Sequence, residues 1–353
     1  MVEARGPGSH WGVLPGLGDS YDTVAIAGFD GFARARATFK PRAVPTIPGA
    51  AAGTKPLLPP PAIVAAGSVF YADGDGAVRQ LKPDGAVSDV TSFNLTPQQE
   101  LWFAVSPDGK NLMASVLTVP GPGASWSVSL EMATPGGQPK TLSTVDLGAA
   151  LPKPTLVAGW DLGGPLATLS TDLVPTTTDG GGWQYHGGSL VHLDAQGQPG
   201  QPVGGADCKP WASAPDGSVL CTGSPPTVRD PIGNVLWTVP SGGFSPQGRA
   251  LAPDAGHVST DSVIVAADGW AERIANGLTA EGWVDSVHLV GQVQDPAGKG
   301  DIDYVTSGDA LRGHNLGFPA VLVGALPTPP GIKNELPSPA PKAKPSPSPS
   351  PTP

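Results

Sequence analysis

Cys208 and Cys221 are the only two cysteines of the chain. Two thiols support a disulfide or part of a metal site. Structural zinc takes four ligands, and no Cys or His cluster accompanies this pair, so no metal is expected. The two cysteines bracket a hairpin, "CKPWASAPDGSVLC", whose turn centres on Asp216. Symmetric pairing about that turn places Cys221 facing residues near Ala212 and Cys208 about four residues further out, roughly 13 Å away by strand rise. A disulfide needs Cα atoms within about 7 Å. A bridge therefore forms only if the chain before Lys209 folds back over the hairpin, which "GGADCKP" permits. Cys208–Cys221 is the preferred reading, with two free thiols as the alternative.

The six histidines are His10, His186, His192, His257, His288 and His314. They are scattered without metal-ligand spacing. Members of a Ser-His-Asp triad need not be close in sequence, but no Gly-x-Ser-x-Gly elbow marks a nucleophile. Many Asp residues, among them Asp30, Asp73, Asp75, Asp84, Asp108, Asp216 and Asp268, sit beside Gly in turns, where a carboxylate bonds its own backbone. The "DGDG" at Asp73–Gly76 lacks the longer loop and closing Glu of a calcium site and reads as a turn. No carboxylate pair stands out for glycoside hydrolysis. No catalytic residue, metal or cofactor is assigned. The long segment "TDLVPTTTDGGGWQYHGG" is the candidate binding loop: Trp183, Tyr185 and His186 lie together in Gly-rich surroundings, and loops on rigid scaffolds carry binding.

These residues need elements to position them, and composition says which. Among 353 residues there are 49 Gly and 43 Pro, and only 14% are charged. Gly and Pro interrupt helix and strand interiors alike, so short strands joined by tight turns are expected. The stretch "FAVSPDGKNLMAS" shows the pattern, with Pro107, Asp108 and Gly109 turning one strand into the next. "WASAPDGSVLCTG" repeats it with Pro215, Asp216 and Gly217, and "GGFSPQGRALAP" is a weaker copy. Pro presets the turn, Asp bonds its own backbone and Gly takes the left-handed position. Cut at the turns, residues 62–326 fall into six units of about four strands, beginning near Ala62, Leu101, Thr155, Cys208, Gly242 and Glu281. Five units put an aromatic on the first strand: Trp102, Trp160, Trp211, Phe244 and Trp283. They read as core between neighbouring units.

The "SPDGK.L" form resembles the TolB-like or PD40 (WD40-like) β-propeller repeat. That resemblance implies an all-β propeller of four-stranded blades and carries no activity, since propellers host many functions. The regular Gly-His and Trp-Asp pairs of true WD40 repeats are missing. "YDTVAIAGFDGFARARATFKPR" reads as a further hairpin whose return strand is basic, as suits an edge. If it latches onto the C-terminal "PAVLVGAL", the ring has seven blades. If these pieces complete the sixth unit, it has six. Seven is slightly preferred. Residues 1–20 are expected to be disordered. The propeller spans 21–326, with a Pro-rich connection at 41–61, and a Pro/Ser-rich disordered tail occupies 327–353.

The formal net charge of −10 opposes nucleic acid, which needs clustered cations. No apolar run is long enough to span a bilayer, and the N-terminus lacks a signal-peptide pattern. The tail suits a spacer outside the cytoplasm, and a disulfide suits the same place. An Ala-, Gly- and Pro-rich chain of this kind points to a bacterial gene. The expectation is a monomeric, non-catalytic scaffold or recognition module in the bacterial envelope, binding a protein, peptide or glycan at one face of the ring. A cytoplasmic location stays open. The alternative is a glycan-acting lyase or hydrolase with its site at the axis.

Overall fold

The computed structural model describes residues 10–15, 22–28, 33–40, 62–121, 123–149, 154–169, 188–240, 250–259, 263–269, 271–273, 278–286, 288–294, 300–306, 309–315 and 320–326. Every element among them is a strand. The N-terminal strands are β1 (His10–Pro15), β2 (Thr23–Gly28) and β3 (Ala33–Thr38). The first repeat unit has β4 (Ala62–Ala65), β5 (Ser68–Asp73), β6 (Ala77–Leu81) and β7 (Val87–Ser92). The second has β8 (Gln99–Val105), β9 (Leu112–Thr118), β10 (Trp126–Ala133) and β11 (Lys140–Gly148). The third has β12 (Leu156–Asp161), β13 (Gly164–Leu169), β14 (Ser189–Leu193) and β15 (Pro199–Pro202). The fourth has β16 (Pro210–Ser213), β17 (Val219–Cys221), β18 (Thr227–Arg229) and β19 (Val235–Thr238). The fifth has β20 (Ala250–Leu251), β21 (His257–Ser259), β22 (Val263–Ala266) and β23 (Ala271–Arg273). The sixth has β24 (Leu278–Trp283), β25 (His288–Gln294), β26 (Gly300–Thr306) and β27 (Asp309–Asn315), and β28 (Ala320–Ala325) follows.

Each unit folds as one antiparallel sheet in sequence order, and the chain ends meet in a further sheet ordered β28-β1-β2-β3. The described strands thus form seven four-stranded sheets. The first strands lie against one another around a ring: β28 against β4, β4 against β8, β8 against β12, β16 against β20, β20 against β24, and β24 against β28. Between the third and fourth sheets, Ala158, Leu190 and Val203 pack on Val219 and the two cysteines. This is a β-propeller, and the ring is closed.

Strand β8 shows why the ring holds. It is buried on both faces, so its residues alternate between two cores. Leu101, Phe103 and Val105 join Phe70, Val78 and Val90 of the first unit. Ala104 faces the other way, with Val157, Ala167 and Val191 of the third. A single sheet would leave one such face in water; closure buries both.

Three expectations are corrected. Residues 1–20 were expected to be disordered, yet His10–Pro15 is a strand inserted between β28 and β2. Its short "HWGVLP", broken by Gly and Pro, has no alternation of its own, and its pairing comes from the neighbours on both sides. The basic hairpin, β2–β3, therefore meets the C-terminal strand only through β1. Second, these pieces do not complete the sixth unit, which has four strands already. Third, "FSPQGR" of the proposed fifth-unit repeat lies outside the described residues, and the first described hairpin of that unit lies further on. That hairpin is Ala250–Ser259, "ALAPDAGHVS", with Ala250 opposite Ser259. Its turn keeps Pro253 and Asp254 but delays its glycine by one residue, which hid it. Phe244 lies outside the described residues and ahead of the unit's first strand.

Candidate functional site

In an antiparallel meander the first and third turns of a sheet fall at the same end. Going round the ring, this end carries Asp84, Asp108, Asp161, Asp194, Asp216, Asp230, Asp254, Asp268 and Asp285. Most are turned onto their own backbone. Asp108 accepts from Ser106 Oγ at 2.6 Å and from Lys110 N at 3.1 Å, and Gly109 holds φ +73°. Those bonds, Ser106 first, hold its carboxyl down at about 2. Asp216 accepts from Ser218 N and Oγ at 2.9 and 3.1 Å. Asp254 accepts from Gly256 N at 2.9 Å. Asp285 binds both the backbone N and the Nδ1 of His288 at 2.8 Å. Pro107, Asp108, Gly109, Pro215, Asp216 and Gly217 thus all lie in these turns.

One carboxylate is used differently. Asp161 ends the first strand of the third sheet, with a side chain 2% exposed. Its Oδ1 accepts from Gly163 N at 2.7 Å and contacts His192 Nε2 at 2.8 Å. A carboxylate oxygen only accepts, so Nε2 is the donor of this bond. The imidazole keeps 27% of its side chain exposed. It lies so close over Gly163 that a Cβ there would come within 2.5 Å of Nε2. Asp161 Oδ2 is buried without a hydrogen-bond partner, beside Gly217 of the next sheet, where a Cβ would stand 3.2 Å away. Pro231 closes on the same glycine, 2.9 Å from that Cβ position. The turn ends of the third and fourth sheets thus meet in a seam. On either side of it stand Leu162 and Ile232, 81% and 82% exposed.

The sequence did not single out Asp161 and His192. They lie 31 residues apart on the first and third strands, and only strand register joins them. The faint signal was the turn "WDLGGP", which keeps the Asp and glycines of the other turns without their proline. The candidate loop residues Trp183, Tyr185 and His186 lie outside the described residues.

The first-strand aromatics that are described are core or close to it. Trp102 packs with Leu117, Trp126 and Leu156. Trp283 is buried 5.6 Å from the His257 ring. Trp160 and Trp211 are half-buried against the neighbouring clusters.

Cys208 and Cys221 are bonded, with Cα atoms 5.2 Å apart. The symmetric register is broken: Cys221 opposes Pro210 rather than Ala212, across a bulge. Two turns at 203–209, closed by Gly205 N to Pro202 O and Cys208 N to Gly205 O, fold the chain back. Arg229 clamps that fold, reaching Asp207 at 2.7 and 3.1 Å and Gly204 O at 3.2 Å.

Among the described residues no three His, Cys, Asp or Glu side chains come together as a metal site. No helix there is long and apolar enough to cross a membrane.

No protein family matches the chain, and no curated protein matches it. Solved structures do. An oligogalacturonate lyase in complex with manganese aligns at 12% identity, over 70% of this chain and 76% of that one, with a TM-score of 0.47. A putative TolB from Agrobacterium tumefaciens aligns at 12% identity over 88% and 89%, TM-score 0.34. The Dos1 propeller aligns at 13% identity over 90% and 87%, TM-score 0.42. The likeness is one of fold alone, and the propeller rests on the sheets of this chain. It brings no activity with it.

Proposed function

We propose that the protein is a non-catalytic recognition module of the bacterial cell envelope. It binds a protein, peptide or glycan at the end of the ring where the first and third turns lie. The observation that carries this reading is the seam between the third and fourth sheets. Leu162 and Ile232 stand almost fully in water there, on turns whose backbones are pinned by Asp161 and Asp230. Exposed apolar side chains on a rigid, preorganised support are what contact surfaces use. The buried Cys208–Cys221 bond supports an oxidising compartment, and the Pro- and Ser-rich tail suits a spacer.

A second reading has one observation in its favour. His192, oriented by Asp161 through Nε2, has the arrangement of a general base, which a glycan-acting lyase or hydrolase would use. The pair sits at the seam between the third and fourth sheets.

The test is a photo-crosslinking residue placed at Leu162, with Val145 on β11 as the control position. In envelope extracts, position 162 is expected to give a saturable adduct that unlabelled protein competes away. Equal labelling at both positions contradicts the reading. Polysaccharide cleavage that disappears in His192→Ala would replace it with the enzyme.

A further inference from the structure

Among the described residues no strand pairs on the outer side of the outermost strand of each sheet, and open edges invite pairing with another chain. Six of the seven outermost strands carry charge or proline. β3 has Arg34 and Arg36, β7 has Asp89, and β11 has Lys140 and Asp146. β15 has Pro199 and Pro202, β23 has Glu272 and Arg273, and β27 has Asp309 and Arg312. β19, "VLWT", has neither. It presents Val235 and Leu236 at 53% and 51% exposure, and Ile232 stands in the turn that leads into it. The strand is also held firmly. The Trp237 indole N–H donates to Ala255 O of the next sheet at 2.8 Å, and Val239 N donates to Pro226 O at 2.9 Å.

Two properties choose the occupant. The first is area. A four-residue strand with three exposed side chains offers far less than the roughly 800 Å² per partner of a stable interface between folded bodies. Two copies, each with net charge −10, also repel. An extended peptide needs only main-chain bonds along the edge and contacts for alternate side chains. The second is charge. Asp230 sits at the start of this hairpin, its carboxylate accepting from Ile232 N, Asn234 N and Asn234 Nδ2 at 3.1, 2.8 and 2.7 Å.

We propose that β19 is a docking edge for an extended apolar peptide, added antiparallel as a fifth strand, with a Lys or Arg at the peptide's C-terminal end. Antiparallel addition places that end beside Asn234 and Asp230. The edge adjoins the turn-end seam through Ile232 and Asp230, but strand addition along β19 stands or falls without the reading of that seam.

The probe is a fluorescent acetyl-TVTVTVK-amide peptide, titrated against the full chain by anisotropy. Amide hydrogen exchange over residues 234–238 is followed in parallel. The lysine peptide is expected to bind saturably and to slow exchange there. Binding is expected to fall at least tenfold for acetyl-TVTVTVE-amide and for the Val235→Lys/Leu236→Lys variant, whose melting curve shows whether it is folded. Val87→Lys on β7 should leave binding unchanged. The proposal is overturned by the absence of saturable binding, by equal binding of the glutamate peptide or the folded double variant, or by protection elsewhere. It is equally overturned if β19 mediates a dimer of the chain that the double variant abolishes.

Discussion

Asp108 and Gly217 show what single residues do in this molecule. Asp108 has the look of a catalytic carboxylate in a Gly-rich loop, but its oxygens serve the turn. Ser106 and the Lys110 amide hold its carboxyl at about 2. A carboxyl held below its usual value of about 4 adds stability that is complete above that value and is lost as pH falls toward 2. Asp108→Ala should therefore lower Tm slightly at pH 7, and the gap to the parent should narrow as pH falls toward 2. Thermal melts at pH 7, 3 and 2 check this. Gly217 is constrained twice. Its φ is +87°, and a Cβ would meet Pro231 at 2.9 Å and Asp161 Oδ2 at 3.2 Å. Gly217→Ala should cost about 2 kcal/mol, measured by denaturant unfolding. An unchanged midpoint would mean that the seam is looser than described.

At the scale of elements, the fourth sheet depends on its cystine. The bond joins the fold-back at 203–209 to β17 across a sequence separation of 13. Closing a loop of that size is worth about 3 kcal/mol in the unfolded chain. Cys208→Ala/Cys221→Ala should lose about that much in urea unfolding, and reductant should then have no further effect.

Elements with turn chemistry and alternation were legible in the sequence. All four strands of the first unit fall between the turns at Ala66-Gly67, "DGDG" and "KPDG". Register was not legible. The bulge opposite Cys221 moves that residue from Ala212 to Pro210, and no residue type announces a bulge. The first described turn of the fifth unit was not legible, because "APDAG" makes it with the glycine one place late. Asp161–His192 was hidden for a related reason, since its partners come from strands joined only by pairing. The bare edge at β19 shows only by contrast, once the other six outermost strands are known.

For the whole molecule, everything rests on the closed ring. The rigid turn end and the rim exist because each sheet buries both faces against its neighbours. The last such contact needs β28 to pair with β1, whose own sequence barely reads as a strand. The direct measurement is an engineered cystine across that pairing, Leu14→Cys/Val321→Cys, at positions directly opposite in register. Under conditions that close Cys208–Cys221, peptide mapping by mass spectrometry should find a second, intramolecular bond between residues 14 and 321. If both new thiols stay free to alkylation while the native bond forms, the N-terminal strand is not in the ring, and the closed propeller is contradicted.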